Sequence, residues 1–369
     1  MRSGALGWLA VLVLVVSGCS GTPDPAPVPS EGRPTERALV PIPASLRVEL
    51  PETTATDDPG LVVDLAEAVD APTIDEAPSE AGLLLAQLST FSPEAGSGAV
   101  RPGEPFLLTR SGQWRRFDLA RYGLLVPAYL ELSAAISRDG GSVAFADPSG
   151  VVTVDLRDGT FRRFDLPVRH AVALEWSPGG STLLLKDRHS HRRPCGRTGC
   201  SLDVGTGALA PVPYDLFYST FAAADVVVEL EPGATKGQPL RVITHRSGEP
   251  ATSSSVPYLT APLTAGGPVA SGSVAYAQCT GRSSRRDTGV VVIDPASGEV
   301  RSMLTAPGGG CRLGAQAWTE DDTLVVSDQR TGRLWRWDVA AGEVGLLADS
   351  RTDGLVVYSV AGAGSFSTD

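Results

Sequence analysis

Four cysteines, Cys195, Cys200, Cys279 and Cys311, and a loop reading KDRHSHRRPCGR carry most of the reactive side chains in the body of this 369-residue chain. Thiols in even number suit disulfides wherever the compartment is oxidising, and four cysteines allow three pairings. Joining Cys195 to Cys200 would close a small loop, and joining Cys279 to Cys311 would staple two separate segments. Each bridge would contribute about 2–4 kcal/mol, chiefly by restricting the unfolded chain. His189 and His191 stand beside Cys195 and Cys200 and offer imidazole and thiolate, which are zinc ligands. Their spacing matches no common zinc module, and oxidation would remove two of the four ligands, so no metal is expected. The same loop, with GRSSRRD further on, supplies Arg188, Arg192, Arg193, Arg197, Arg282, Arg285 and Arg286. Guanidinium forks match phosphate and carboxylate, so these arginines are candidates for an anion-binding surface. The plain alternative is solvated loop charge paired with neighbouring acids.

Catalytic patterns are weak by comparison. The four histidines form no recognisable Ser-His-Asp set, and Asp321 and Asp322 are adjacent turn residues that would point apart, unlike a catalytic carboxylate pair. There is no P-loop and no dinucleotide fingerprint, so neither a catalytic residue nor a cofactor is assigned.

What must position these side chains is a hairpin that recurs through the chain. Its plainest copy runs RLWRWDV, AAGE, VGLL around Gly342, where two alternating strands meet at a tight turn. Further copies centre on Gly112, Gly159, Gly207, Gly248 and Gly298, at intervals of 41 to 50 residues, the period of a four-stranded propeller blade. Asp155, Asp203, Asp294 and Asp338 each stand four residues before the glycine, where a carboxylate can accept backbone N–H groups of the turn. Long 3.6-residue patterns are missing after the N-terminus, and 41 glycines with 29 prolines suit many short strands. The expected fold is therefore an all-β propeller of six blades of four antiparallel strands, with seven as the alternative. Blade one lacks a first strand of its own, and GLVVYSVAG at 354 to 362 can supply it, closing the ring by pairing the two ends of the chain. Trp114, Trp176, Trp318, Trp335 and Trp337 fall in or beside these strands, as expected of packing between blades.

The segments SRDGGSVAFAD and SPGGSTLLLKD are similar to the SPDG strand pairs of exported propellers, and with the Asp-turn-Gly hairpins the chain resembles the TolB-like and WD40-like lipoproteins of high-GC Gram-positive bacteria. The likeness covers roughly residues 80 to 362. It departs from WD40 repeats of the eukaryotic kind, because no Gly-His pair precedes a blade and only Trp337-Asp338 gives the Trp-Asp dipeptide. Ser137 to Gly141 is similar to the Asp box of sialidase-like propellers, yet lacks its tryptophan and falls in a different turn, so it reads as a plain turn. In such a ring the turns joining strands one to two and three to four share one face. Loops joining strands two to three, and blade to blade, share the other. The second face carries the longer loops, at 91 to 104, 187 to 200 and 279 to 287, and with them all four cysteines and all seven arginines; function concentrates on such elaborated loops.

The N-terminus reads as an export signal: Arg2, an apolar run from Ala5 to Val16 too short to span a bilayer, then small residues. Val16-Ser17-Gly18-Cys19 resembles the lipobox of bacterial lipoproteins, which implies that Cys19 becomes the acylated N-terminus, palmitate being one such chain; ordinary secretion is the alternative. Residues 1–18 are then the signal peptide, 19–43 a Pro-rich tether, 44–80 an N-terminal extension packed on the propeller or forming part of an extra blade, 81–362 the propeller and 363–369 a tail. Without residues 1–18, which hold one arginine, 30 basic and 42 acidic side chains leave a net charge of −12, which argues against nucleic acid as a partner. The expectation is a lipid-anchored extracytoplasmic propeller that binds an envelope protein or an anionic envelope ligand. The alternative is a propeller hydrolase or lyase acting on envelope carbohydrate.

Overall fold

The recurring hairpin forms the third and fourth strands of every one of six sheets. Its glycines at 112, 159, 207, 248, 298 and 342 take φ between 70° and 79°, a left-handed conformation that glycine reaches without steric cost. Where an aspartate precedes the turn, its carboxylate accepts a turn N–H: Asp155 from Arg157 at 2.9 Å, Asp203 from Thr206 at 2.7 Å, Asp294 from Ala296 at 2.9 Å and Asp338 from Ala341 at 2.8 Å. In each of these four hairpins the aspartate carbonyl also accepts the N–H of the glycine.

A computed structural model describes residues 42–52, 60–89, 100–124, 133–147, 150–165, 171–187, 199–231, 239–256, 258, 264–266, 273–278, 289–307, 312–319, 323–352, 354 and 356–362. In order from first to fourth strand, blade one is Val356–Val360, Gly82–Leu88, Pro105–Thr109 and Trp114–Arg116, and blade two is Ser133–Ile136, Ser142–Asp147, Gly150–Asp155 and Phe161–Asp165. Blade three is Ala171–Trp176, Thr182–Asp187, Cys200–Asp203 and Leu209–Pro211; blade four is Ser219–Ala223, Val226–Glu231, Leu240–Arg246 and Thr252–Val256. Blade five is Thr264–Gly266, Val274–Gln278, Gly289–Ile293 and Val300–Thr305, and blade six is Leu313–Trp318, Thr323–Asp328, Arg333–Asp338 and Glu343–Ser350.

First strands of successive blades neighbour one another around the axis. Blade three reaches blade four through Glu175, whose Oε1 accepts the Thr220 hydroxyl at 2.7 Å and the Phe221 N–H at 2.8 Å. The ring closes as the sequence predicts. Val356–Val360 pairs antiparallel with the Gly82–Leu88 strand, Val356 opposite Leu88 and Val360 opposite Leu84, and Tyr358 donates its hydroxyl to the Gly332 carbonyl of blade six at 2.6 Å. Six blades account for the repeat, and no seventh forms among the described residues.

Because each blade is sandwiched between two others, its middle strands are buried on both faces and read as unbroken apolar runs. GVVVI is buried at all five positions, whereas the outermost FRRFD of blade two is largely exposed. Six apolar clusters fill the six spaces between blades.

The N-terminal extension is a strap around the rim rather than part of an extra blade. Arg47–Glu49 adds a parallel fifth strand to blade five, beside Met303–Thr305, and Leu61–Val63 adds one to blade six, beside Ala348–Ser350. Asp64 then caps the short helix Leu65–Ala68 through the Ala66 N–H at 2.9 Å, so LVVDLAEA is a strand and a helical turn in succession. Thr73 bridges to Arg116 of blade one, and the Ser79 N–H reaches the Leu156 carbonyl of blade two. On its way the strap drops apolar side chains into four consecutive spaces. Ile42 enters between blades four and five, Leu50 between five and six, Val63, Leu65 and Ala68 between six and one, and Ile74 between one and two. It covers the outer edges of blades five and six, which would otherwise present open backbone groups. The spaces between blades two and three, and three and four, receive no such strap residue among those described.

Candidate functional site between blades three and four

The space between blades three and four is filled differently from the rest. Its buried apolar cluster among the described residues is only Leu184, Val212, Leu216, Phe221 and Val227, and two of these, Val212 and Leu216, come from the interblade linker rather than from a strand. Blade three ends in the short strand Leu209–Pro211, and the linker turns inward behind it as a 3-10 turn at Leu216–Tyr218. Polar side chains occupy the remaining volume.

Pairing register explains how they meet. Val227 lies opposite His245 in blade four, and Glu229 stands two residues along the same strand, so all three share the face turned toward blade three. The Glu229 Oε2 lies 2.8 Å from the His245 Nε2, while its Oε1 accepts the Asp215 N–H of the linker at 3.0 Å. Both side chains are mostly buried, 12% exposed for Glu229 and 18% for His245. Tyr214 lies against the imidazole with ring centroids 4.9 Å apart. Burial, reinforced by the charges of Glu175 and Glu229, pushes the Tyr214 phenol up to about 12, so it keeps its proton at neutral pH. On the far side of blade four, burial also raises the Tyr276 phenol, and its hydroxyl donates to the Val228 carbonyl at 3.3 Å.

Beside this cluster opens a cleft of about 430 Å³. Leu184, Phe221 and Val227 form an apolar wall, Tyr214 and His245 line it, and its exposed rim is the Asp225 turn with the Ser247–Glu249 hairpin. That volume lies within the range of small-molecule sites, about 300–1,000 Å³. An imidazole held at one nitrogen by a buried carboxylate presents the other in a set orientation, ready to accept or donate a hydrogen bond.

Comparison with known proteins finds distant structural likeness alone. No family model matches the sequence, and no curated protein does. Among solved structures, TolB from Acinetobacter baumannii is 13% identical with a TM-score of 0.47, over 77% of this chain and 67% of that one. Virginiamycin B lyase from Staphylococcus aureus is 12% identical with a TM-score of 0.46, over 71% of this chain and 87% of that one. The C-terminal WD40 domain of Sif2 is 13% identical with a TM-score of 0.41, over 80% and 73%. TolB and WD40 proteins are thus among the similar structures, as the sequence resemblance implies, and none of the three carries an activity to this chain.

The residues singled out in the sequence fall mostly elsewhere. Cys19, Cys195, Cys279, Cys311, His189, His191, Arg188, Arg192, Arg193, Arg197, Arg282, Arg285 and Arg286 lie outside the described residues, as do Asp321 and Asp322. Cys200 is described: it is buried, begins the third strand of blade three, and is disulfide-bonded. The assignment of turns to faces agrees with the fold. Hairpin residues Leu156, Val204 and Ser247 donate N–H groups to Gly141, Ser181 and Asp225 of the first-to-second turns of their own blades. Sequence reasoning passed over the cleft, which opens on the tight-turn face. The available signal was the register of VVVELE against LRVITHR, which sets Glu229 diagonal to His245.

Proposed function

We propose that the chain is an exported, lipid-anchored propeller acting as a binding or scaffold module of the cell envelope, with its long-loop face presented to a protein or anionic ligand there. The supporting observation is the direction of the strap. Val300–Thr305 runs away from its hairpin turn at Gly298, and Arg47–Glu49 lies parallel to it, so the chain reaches the rim from the tight-turn side. The Ser302 hydroxyl, near the start of that strand, donates to the Leu46 carbonyl at 3.3 Å. The 22 residues between an acylated Cys19 and Ile42 would span about 70 Å if extended. The strand ends that bracket the arginine segments, Asp187 with Cys200 and Gln278 with Gly289, lie at the opposite end of their blades. Anchored in this way, the propeller turns its long loops outward.

The alternative, a hydrolase or lyase of envelope carbohydrate, calls for imidazoles or carboxylates converging on the axis. His245 is the only histidine described, and it pairs with Glu229 on the second and third strands, away from the axis. Two variants test the proposal. Cys19→Ser abolishes incorporation of labelled palmitate and releases the chain from membranes, and serine at the seven arginines removes capture of envelope ligands by the full chain. Acylation of the Cys19→Ser chain, or undiminished capture by the arginine variant, would falsify it.

A further inference from the structure

We propose that the cleft between blades three and four is a binding site for a small organic cation, an ammonium group carried on an apolar body. Three observations lead there. The strap that enters four consecutive spaces around the rim contributes none of its described residues to this one, and the cleft opens at an exposed rim. Apolar side chains back the cleft: Leu184, Phe221 and Val227 line its floor and are 0%, 4% and 5% exposed, so little water reaches them.

The polar groups around that floor are biased toward acceptors. Asp225 and Glu249 stand exposed at the rim. The one arginine or lysine there among the described residues, Arg246, is half exposed and lies 3.9 Å from Glu249, a loose i,i+3 pair worth little in water. Asp225 makes no side-chain bond among the described residues, its only contact of that kind being its own carbonyl to the Ser247 N–H. Deeper in, the His245 Nε2 lies 2.8 Å from the Glu229 carboxylate, a further acidic group behind the ring. Two rim carboxylates, a third behind the imidazole and one loosely held guanidinium leave negative charge in excess. An ammonium is the group that such a set recognises, and a carboxylate is the group that it repels.

The size of the cleft suits a ligand of about nine to fifteen heavy atoms. The probe is therefore 2-phenylethylammonium, with 2-phenylethanol and 3-phenylpropionate as neutral and anionic isosteres, titrated into the full chain by calorimetry or ligand-observed NMR. The ammonium is expected to bind about tenfold more tightly than the alcohol, with the propionate weaker still. In D225N/E249Q the advantage of the ammonium over the alcohol falls to about twofold or less, and in L184W all three lose binding because the cleft is filled. D158N, an exposed carboxylate on the hairpin of blade two, leaves the preference unchanged, as does the melting temperature in the rim variant, since both rim residues are exposed. Equal binding of propionate and ammonium, a preference that survives D225N/E249Q, or no saturable binding of the ammonium up to about 10 mM overturns the proposal. None of these outcomes depends on the arginine face or on the lipid anchor.

Discussion

Replacing Asp328 with asparagine tests most directly how blade six is held. Asp328 ends the second strand of that blade with its side chain 1% exposed, and it forms a two-pronged pair with Arg312, which is 15% exposed. The Arg312 Nε donates to Oδ1 at 2.8 Å and a second guanidinium nitrogen to Oδ2; the Thr331 hydroxyl donates to Oδ2 at 2.8 Å and the Arg330 N–H to Oδ1 at 3.1 Å. Burial alone would raise this carboxyl. The hydrogen bonds from Arg312, Thr331 and Arg330, with the Arg312 charge, more than offset it and hold the group below the usual carboxylate range. Asparagine keeps the shape but sets an NH₂ against a guanidinium or a hydroxyl and leaves Arg312 without its counter-charge. Breaking a buried pair costs about 3–5 kcal/mol, and partial hydration of Arg312 brings the expected loss to about 2–4 kcal/mol. Urea unfolding followed by tryptophan fluorescence measures it, with Trp318, Trp335 and Trp337 reporting from the same blade.

Adding Arg312→Met removes the orphaned charge, so the double variant should be less destabilised than the sum of the two singles by about 1–3 kcal/mol. Acidity supplies a second check. A carboxyl depressed on folding stabilises the protein above its unfolded value, about 3.9, and that contribution fades as pH falls through the lower folded value. D328N should therefore flatten the acid limb of the stability profile in that window. A loss under about 0.5 kcal/mol, or strict additivity with Arg312→Met, would refute the reasoning.

Other expectations follow from the same contacts. Gly140 has φ of +74°, and a Cβ there would lie 2.2 Å from the Gly82 carbonyl oxygen, so Gly140→Ala should lower stability by about 2 kcal/mol or more in a melting experiment. Deleting residues 354–369 removes the first strand of blade one and bares the edge of Gly82–Leu88, so the chain should associate on size exclusion and lose its cooperative transition. Intact mass with alkylation of the Cys19→Ser chain should find no reactive thiol before reduction if Cys195 pairs with Cys200 and Cys279 with Cys311, and four afterwards; free thiols beforehand would count against both bridges.

Much of the ring was legible in the sequence because blade repeats carry local chemistry. The turn needs positive φ and a side-chain acceptor, and Gly159 behind Asp155, or Gly342 behind Asp338, announce both. The missing first strand of blade one was legible for the same reason: a strand with no partner in its own repeat needs one from Val356–Val360. The strap was harder. Arg47–Glu49 and Leu61–Val63 are three-residue strands whose parallel partners lie more than 200 residues away, and nothing local records such a pairing. The candidate arginines and cysteines were chosen on residue type and loop length, and apart from Cys200 they lie outside the described residues.

By itself, then, the sequence determined the repeating unit and offered the strand that joins the two ends, since both follow from turn chemistry and strand alternation over a few residues; six blades and seven both fitted the repeat until the pairing of Val356–Val360 with Gly82–Leu88 closed the ring. Only the tertiary structure decided which four spaces between blades the strap enters, and that a cleft lies beside the space between blades three and four. That outcome depends on where Ile42, Leu50, Val63 and Ile74 land after wrapping the rim, and on the register that brings His245 to Glu229. Both are contacts between segments distant along the chain, settled by packing once the ring exists.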